Sequence, residues 1–69
     1  HPRPHLDSLT TRERDILAAL GRGLSNADIA AELAITEATA KTHVSRVLAK
    51  LDCTSRVQAA IIAKEAGLA

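Results

Sequence analysis

A chain of 69 residues makes one domain at most, and a domain of this size buries only about 60% of the surface its unfolded form exposes. It contains no Phe, Tyr, Trp or Met, so its core must come from Leu, Ile, Val and Ala; the single Cys53 excludes an internal disulfide and a cysteine zinc site, and fits a reducing cytoplasm. The formal charge is only +1, but residues 36–69 hold five basic and three acidic side chains, against four and five in residues 1–35, so the second half is the positive one.

Residues 1–8, HPRPHLDS, carry two prolines and no periodicity, and are expected to be an interdomain linker or a disordered tail before a domain at 9–69. Thr10-Thr11-Arg12-Glu13 reads as a capping box that opens a first helix, with Ile16, Leu17 and Leu20 as its apolar stripe and Gly21 and Gly23 as its end. Ser25, with Asp28 three residues on, opens a short second helix that buries Ile29, Ala30 and Leu33 and stops near Ala34. Thr36 caps the third and longest helix. Its Ala40, Val44, Val47, Leu48 and Leu51 fall on one stripe, and Ala38, Lys41, Thr42, Ser45 and Ala49 fall on the opposite one. After Asp52-Cys53-Thr54, the box Ser55-Arg56-Val57-Gln58 opens a fourth helix running to about Ala66, before Gly67. Period-two alternation is absent, so the expected class is all-α: a four-helix bundle.

Only about three residues, near Ala34-Ile35-Thr36, join the second helix to the third. Two helices joined this tightly at a steep angle make a helix-turn-helix, whose second member projects into the major groove of duplex DNA. The outer face of the third helix suits that task, because it is small and polar and its charges are positive.

The segments LTTRERDIL (9–17), GLSNADIAAEL (23–33), ITEATAKTHVSRVLAKL (35–51) and SRVQAAIIAKEAGL (55–68) resemble the LuxR-type helix-turn-helix domain of NarL-like response regulators and quorum-sensing regulators. The resemblance implies a four-helix fold, sequence-specific binding of double-stranded DNA as the C-terminal effector of a bacterial transcription regulator, and a homodimer through the fourth helix. RNA polymerase is a further implied partner. Lys41 and Thr42 match family positions that contact bases in the groove; Ser45 and Ala38 face the same way. Ser25, Asn26, Thr36 and Thr39 are helix caps with an added contact to phosphate. Arg46 and Lys50 are expected beside phosphates, the plain alternative being an ion pair with Glu37 or Asp52. Val57, Ile61, Lys64 and Leu68 form a second apolar face on the fourth helix, which either dimerises or packs on another domain. Three departures stand out: Ala34 in a turn where Gly is common, Ala40 for a usual Val, and Asp52 where Gly or Asn is common.

Other residues read structurally. His43 is expected at the core edge, half-buried and hydrogen-bonded, since His1, His5 and His43 lack ligand spacing. An ion pair involving Glu13, Arg12 or Arg56 would hold the fourth helix on the first. No cofactor or metal is expected. The sequence shows no apolar run near the roughly 20 residues that cross a bilayer, no paired nucleophile and base, and no Gly-rich phosphate loop. Two other readings compete: a sigma-factor region 4-like promoter reader, and a helical protein-interaction module that does not bind DNA.

Overall fold

The computed structural model describes residues 6–69, and residues 1–5 of the expected linker lie outside it. Four α-helices follow a short 3₁₀ turn at Leu6–Ser8: α1 (Thr11–Gly21), α2 (Asn26–Leu33), α3 (Glu37–Lys50) and α4 (Arg56–Glu65), with no strand among the described residues. Leu6, within the expected linker, packs against the core.

Each helix starts on the hydroxyl that the sequence offers. Thr10, Ser25, Thr36 and Ser55 all have extended backbone and accept a hydrogen bond from the amide three residues on. Each such cap is worth about 1 kcal/mol. The box is reciprocal at α1, through Glu13, and at α2, through Asp28. At α4 the expected box is only half formed. Gln58 reaches one residue further back and accepts from Thr54 N at 2.7 Å and from the Thr54 hydroxyl at 3.2 Å.

The helices also end alike. In each, one residue turns left-handed, and the amide after it donates to a carbonyl five residues back: Leu24 to Ala19 (3.2 Å), Ile35 to Ala30 (3.0 Å), Cys53 to Leu48 (2.9 Å) and Leu68 to Ala63 (2.8 Å). This is the Schellman closure, in which the donating residue folds its apolar side chain back onto the helix. Leu24, Ile35, Cys53 and Leu68 are accordingly half-buried against the core. Two of the left-handed residues are glycines, Gly23 and Gly67. The other two are Ala34 (φ 57°) and Asp52 (φ 55°), and they bracket α3 on both sides.

Leu9, Ile16, Leu17, Ala19, Leu20, Ile29, Ala30, Ala40, Val44, Val47, Leu51, Ala59 and Ala63 form one core, with Ile16, Leu17, Ile29 and Val47 sealed from solvent. α1 packs on both α3 and α4, while α2 packs on α3. Gly21 differs from its expected role. It is the last residue of α1 and buried, Arg22 is the cap, and Gly23 makes the turn. A Cβ on Gly21 would stand 2.9 Å from the Ala63 Cβ and would also press on that of Ala69, so this glycine sets how closely α4 approaches α1.

Candidate nucleic-acid interface

α3 rests on its small aliphatic side. Ala40 and Val47 are fully enclosed, Val44 and Leu51 are buried, and Leu48 is half-buried. The helical period therefore turns Ala38, Lys41, Thr42, Ser45 and Ala49 outward together, and all five are exposed. The four residues expected in the groove thus share one open face. Arg46 is exposed next to it, and neither Lys41 nor Arg46 joins a salt bridge among the described residues.

The turn into α3 fixes where this face sits. Ala34 takes the left-handed bend, Ile35 returns to the core, and Thr36 caps the helix. The Thr36 hydroxyl accepts from Thr39 N at 3.1 Å and donates to the Thr39 hydroxyl at 2.8 Å. That chain leaves the proton of Thr39 pointing away from the cap and able to donate to an external oxygen. The Thr42 hydroxyl donates to Ala38 O at 3.1 Å, so outward it offers lone pairs and a methyl group. The amide ends of α2 and α3 add positive dipole ends at Ser25 and Thr36, both exposed.

Asn26 stands apart from the other expected phosphate residues. It is the first residue of α2 and not a cap; it is half-buried, and its Oδ1 is enclosed without a hydrogen-bond partner among the described residues.

Lys50 does something other than expected. Its Nζ lies 2.8 Å from Glu13 Oε1 and 3.1 Å from Ser8 O, so it faces α1 and not the outer surface of α3, and it pairs with neither Glu37 nor Asp52. The period explains this: Lys50 lies one turn past Val47 and Arg46, on the edge turned toward α1. Glu13 is nearly buried at 5% exposure, and the Lys50 hydrogen bond, followed by the one from Thr10 N, holds its carboxyl below the usual glutamate range. Glu13 thus forms an ion pair, but with Lys50 and not with Arg12 or Arg56, and it ties α3 to α1 instead of α4 to α1. Arg56 instead donates to Leu24 O at 3.0 Å and ties α4 to the turn after α1.

On α4, Val57 is 65% and Ile61 is 53% exposed, and Lys64 is exposed beside them. Leu68 does not share that face; as the residue closing the Schellman turn, it folds onto the core. His43 is half-buried as expected, but its Nδ1 is enclosed and has no partner among the described residues. No group of His, Cys, Asp and Glu among the described residues could hold a metal ion, and no described helix is long and apolar enough to cross a membrane.

Comparison with known proteins agrees with this arrangement. Residues 7–63 match the GerE model of bacterial regulatory proteins, luxR family. The chain is 54% identical over 55 residues to the uncharacterized transcriptional regulatory protein YhcZ of Bacillus subtilis, covering 80% of this chain and 26% of that protein. It is 50% identical over 56 residues to the nitrate/nitrite response regulator protein NarL of Escherichia coli K12, covering 81% of this chain and 26% of NarL. The chain thus spans about a quarter of the length of these relatives. Among solved structures, that of the transcription factor GerE superposes with a TM-score of 0.73 at 38% identity, covering 87% of this chain and 90% of that one. The chain belongs to the luxR family of bacterial regulatory proteins and is a helix-turn-helix DNA-binding domain of that family.

Proposed function

We propose that this domain binds double-stranded DNA sequence-specifically as the C-terminal effector of a two-component response regulator, with α3 in the major groove. One observation carries the reading: Ala38, Lys41, Thr42 and Ser45 are exposed together on a helix whose opposite side is sealed into the core. Lys41 is the one long cation on that stripe and suits guanine O6 and N7. Ala38, Thr42 and Ser45 are short enough to let the helix sit deep. Ser25, Thr36, Thr39 and Arg46 supply phosphate contacts that set register, with Asn26 beside them.

Two copies would pair through Val57, Ile61 and Lys64, setting two α3 helices about 34 Å apart on successive turns of a palindromic site. The proposed setting is the cytoplasm, where a regulator bound beside a promoter meets RNA polymerase. The sigma-factor reading fits less well, since the family match runs through α4 to residue 63.

The test is titration of the chain against a duplex that it enriches from a random-sequence pool. Affinity should fall with salt at a log–log slope near −0.9 per phosphate contacted. Lys41→Ala should cost about 1–3 kcal/mol on that duplex and much less on a scrambled one. Equal losses on both duplexes would remove Lys41 from the groove.

A further inference from the structure

The contacts of Lys50 are out of keeping with a phosphate ligand. Among the described residues its ammonium is the one charged group of α3 that pairs within the chain, and it does so where three parts of the chain meet. Glu13 Oε1 accepts from Lys50 Nζ at 2.8 Å and from Thr10 N at 2.9 Å. Ser8 O accepts from the same Nζ at 3.1 Å. The lead-in segment is held a second time by Arg14, whose Nη2 donates to Leu6 O at 3.0 Å and lies 3.8 Å from Asp7 Oδ1. One ammonium on the last turn of α3 thus grips both the first turn of α1 and the chain leading into the domain.

The mechanical consequence follows from the shape of α3. Its groove-facing residues lie in its N-terminal two-thirds, on a base of Ala40, Val44 and Val47, with half-buried Leu48 and buried Leu51 at its C-terminal end. Apolar packing of this kind is non-directional, so by itself it sets burial more firmly than tilt. A short, charged contact at the far end adds a directional constraint, and the low exposure of Glu13 (side chain 7%) limits its competition with water.

We propose that Glu13 and Lys50 are a positioning pair for DNA recognition: they fix the tilt of α3 on α1 and tie it to the lead-in segment at Ser8. Lys50 then acts on DNA through the placement of α3 and not by touching phosphate. The proposal rests on α3 being the reading helix.

The experiment compares the 69-residue chain with Glu13→Gln, Lys50→Met (which keeps the aliphatic stem), the double variant and a Lys41→Ala control. Each is titrated on the enriched duplex and on a scrambled duplex of equal length, at several salt concentrations and at a temperature where circular dichroism shows it folded. The expected result is a loss of selectivity between the two duplexes of roughly 3- to 30-fold in each single variant. The double variant should lose no more than either single one, and the salt slope of Lys50→Met should equal that of the parent.

A slope smaller by about 0.9 in Lys50→Met, with Glu13→Gln unaffected, makes Lys50 a phosphate ligand and overturns the proposal. Folded variants with lowered melting temperature and parental selectivity also overturn it, reducing the pair to a stability contact. Should Glu13→Gln fail to fold, the slope and selectivity of Lys50→Met decide alone. If Lys41→Ala keeps full selectivity, α3 is not the reading helix, and the proposal falls with that reading. If Lys41→Ala loses selectivity and the pair does not, the proposal alone fails.

Discussion

Gly21 faces Ala63 across the α1–α4 contact so closely that a Cβ on Gly21 would lie 2.9 Å from the Cβ of Ala63, nearer than carbon atoms pack. α1 and α4 can meet here because one has no side chain and the other has a single methyl. Ala59, one turn earlier on α4, is sealed as well. Gly21→Ala should therefore lower stability even though alanine is the better helix former by about 1 kcal/mol. The overpacking should exceed that gain and leave a net loss of about 1–2 kcal/mol, read from urea unfolding. A more stable Gly21→Ala chain would mean that α4 can slide away at no cost.

How much of this was legible beforehand depended on the range of the interaction. The capping residues and apolar stripes are local, and Thr10, Ser25, Thr36 and the buried face of α3 can be read from spacing alone. The open stripe with Lys41, Thr42 and Ser45 is legible for the same reason, since it is the complement of that face. What spacing does not carry is contact between residues far apart in the chain. Lys50 and Glu13 are 37 positions apart, and although the period sets Lys50 nearer the buried face than Arg46, it does not name Glu13 as the partner. The period alone places Leu68 in line with Val57, Ile61 and Lys64, but the helix ends at Glu65 and the closing turn re-aims Leu68. The regular signal that could have revealed this is an apolar residue just after each left-handed one: Leu24, Ile35, Cys53 and Leu68.

Ala34 holds the left-handed bend between α2 and α3 at φ 57° with no glycine to ease it. An L-residue with a Cβ is strained there by roughly 1–2 kcal/mol. Ala34 is exposed, so nothing packs on its methyl in compensation. Ala34→Gly should raise stability by about 0.5–1 kcal/mol, the relief being partly offset by the greater freedom of glycine in the unfolded chain. Asp52→Gly should gain less, because aspartate tolerates this region better than alanine. Thermal melts of the two variants check the order.

The Glu13–Lys50 pair makes a prediction about acid. The Glu13 carboxyl is held below its ordinary range, first by Lys50 and then by Thr10 N. A depressed carboxylate pKa contributes stability that is fully present above the unfolded value, near about pH 4.3, and is lost as pH falls from there through the folded value. Glu13→Gln should therefore be less stable than the parent at pH 7, and the two unfolding curves should converge as pH drops below about 4. A gap that stayed constant into strong acid would show that the loss in Glu13→Gln comes from packing or from the Thr10 cap, and not from ionisation. The Arg22–Glu32 pair, which also holds its carboxylate low, lies on an exposed surface and should contribute little to the slope.

Val57 and Ile61 lie one turn apart on α4, exposed at 65% and 53%, and nothing among the described residues covers them. Charge placed there should leave the monomer intact, because surface substitutions of this kind stay within about 0.5 kcal/mol. The same charge at the centre of a two-fold interface is doubled by symmetry and must be desolvated against its own copy. Val57→Asp and Ile61→Asp should therefore melt like the parent and bind a single half-site as tightly. On two half-sites one helical turn apart, they should lose the cooperative gain that the parent shows. Sedimentation of protein–duplex mixtures reads this directly: two parental chains per palindrome at low concentration, and stepwise independent filling for the variants. Parental filling that is itself stepwise and independent would leave α4 without a dimer role and hand its apolar face to another domain.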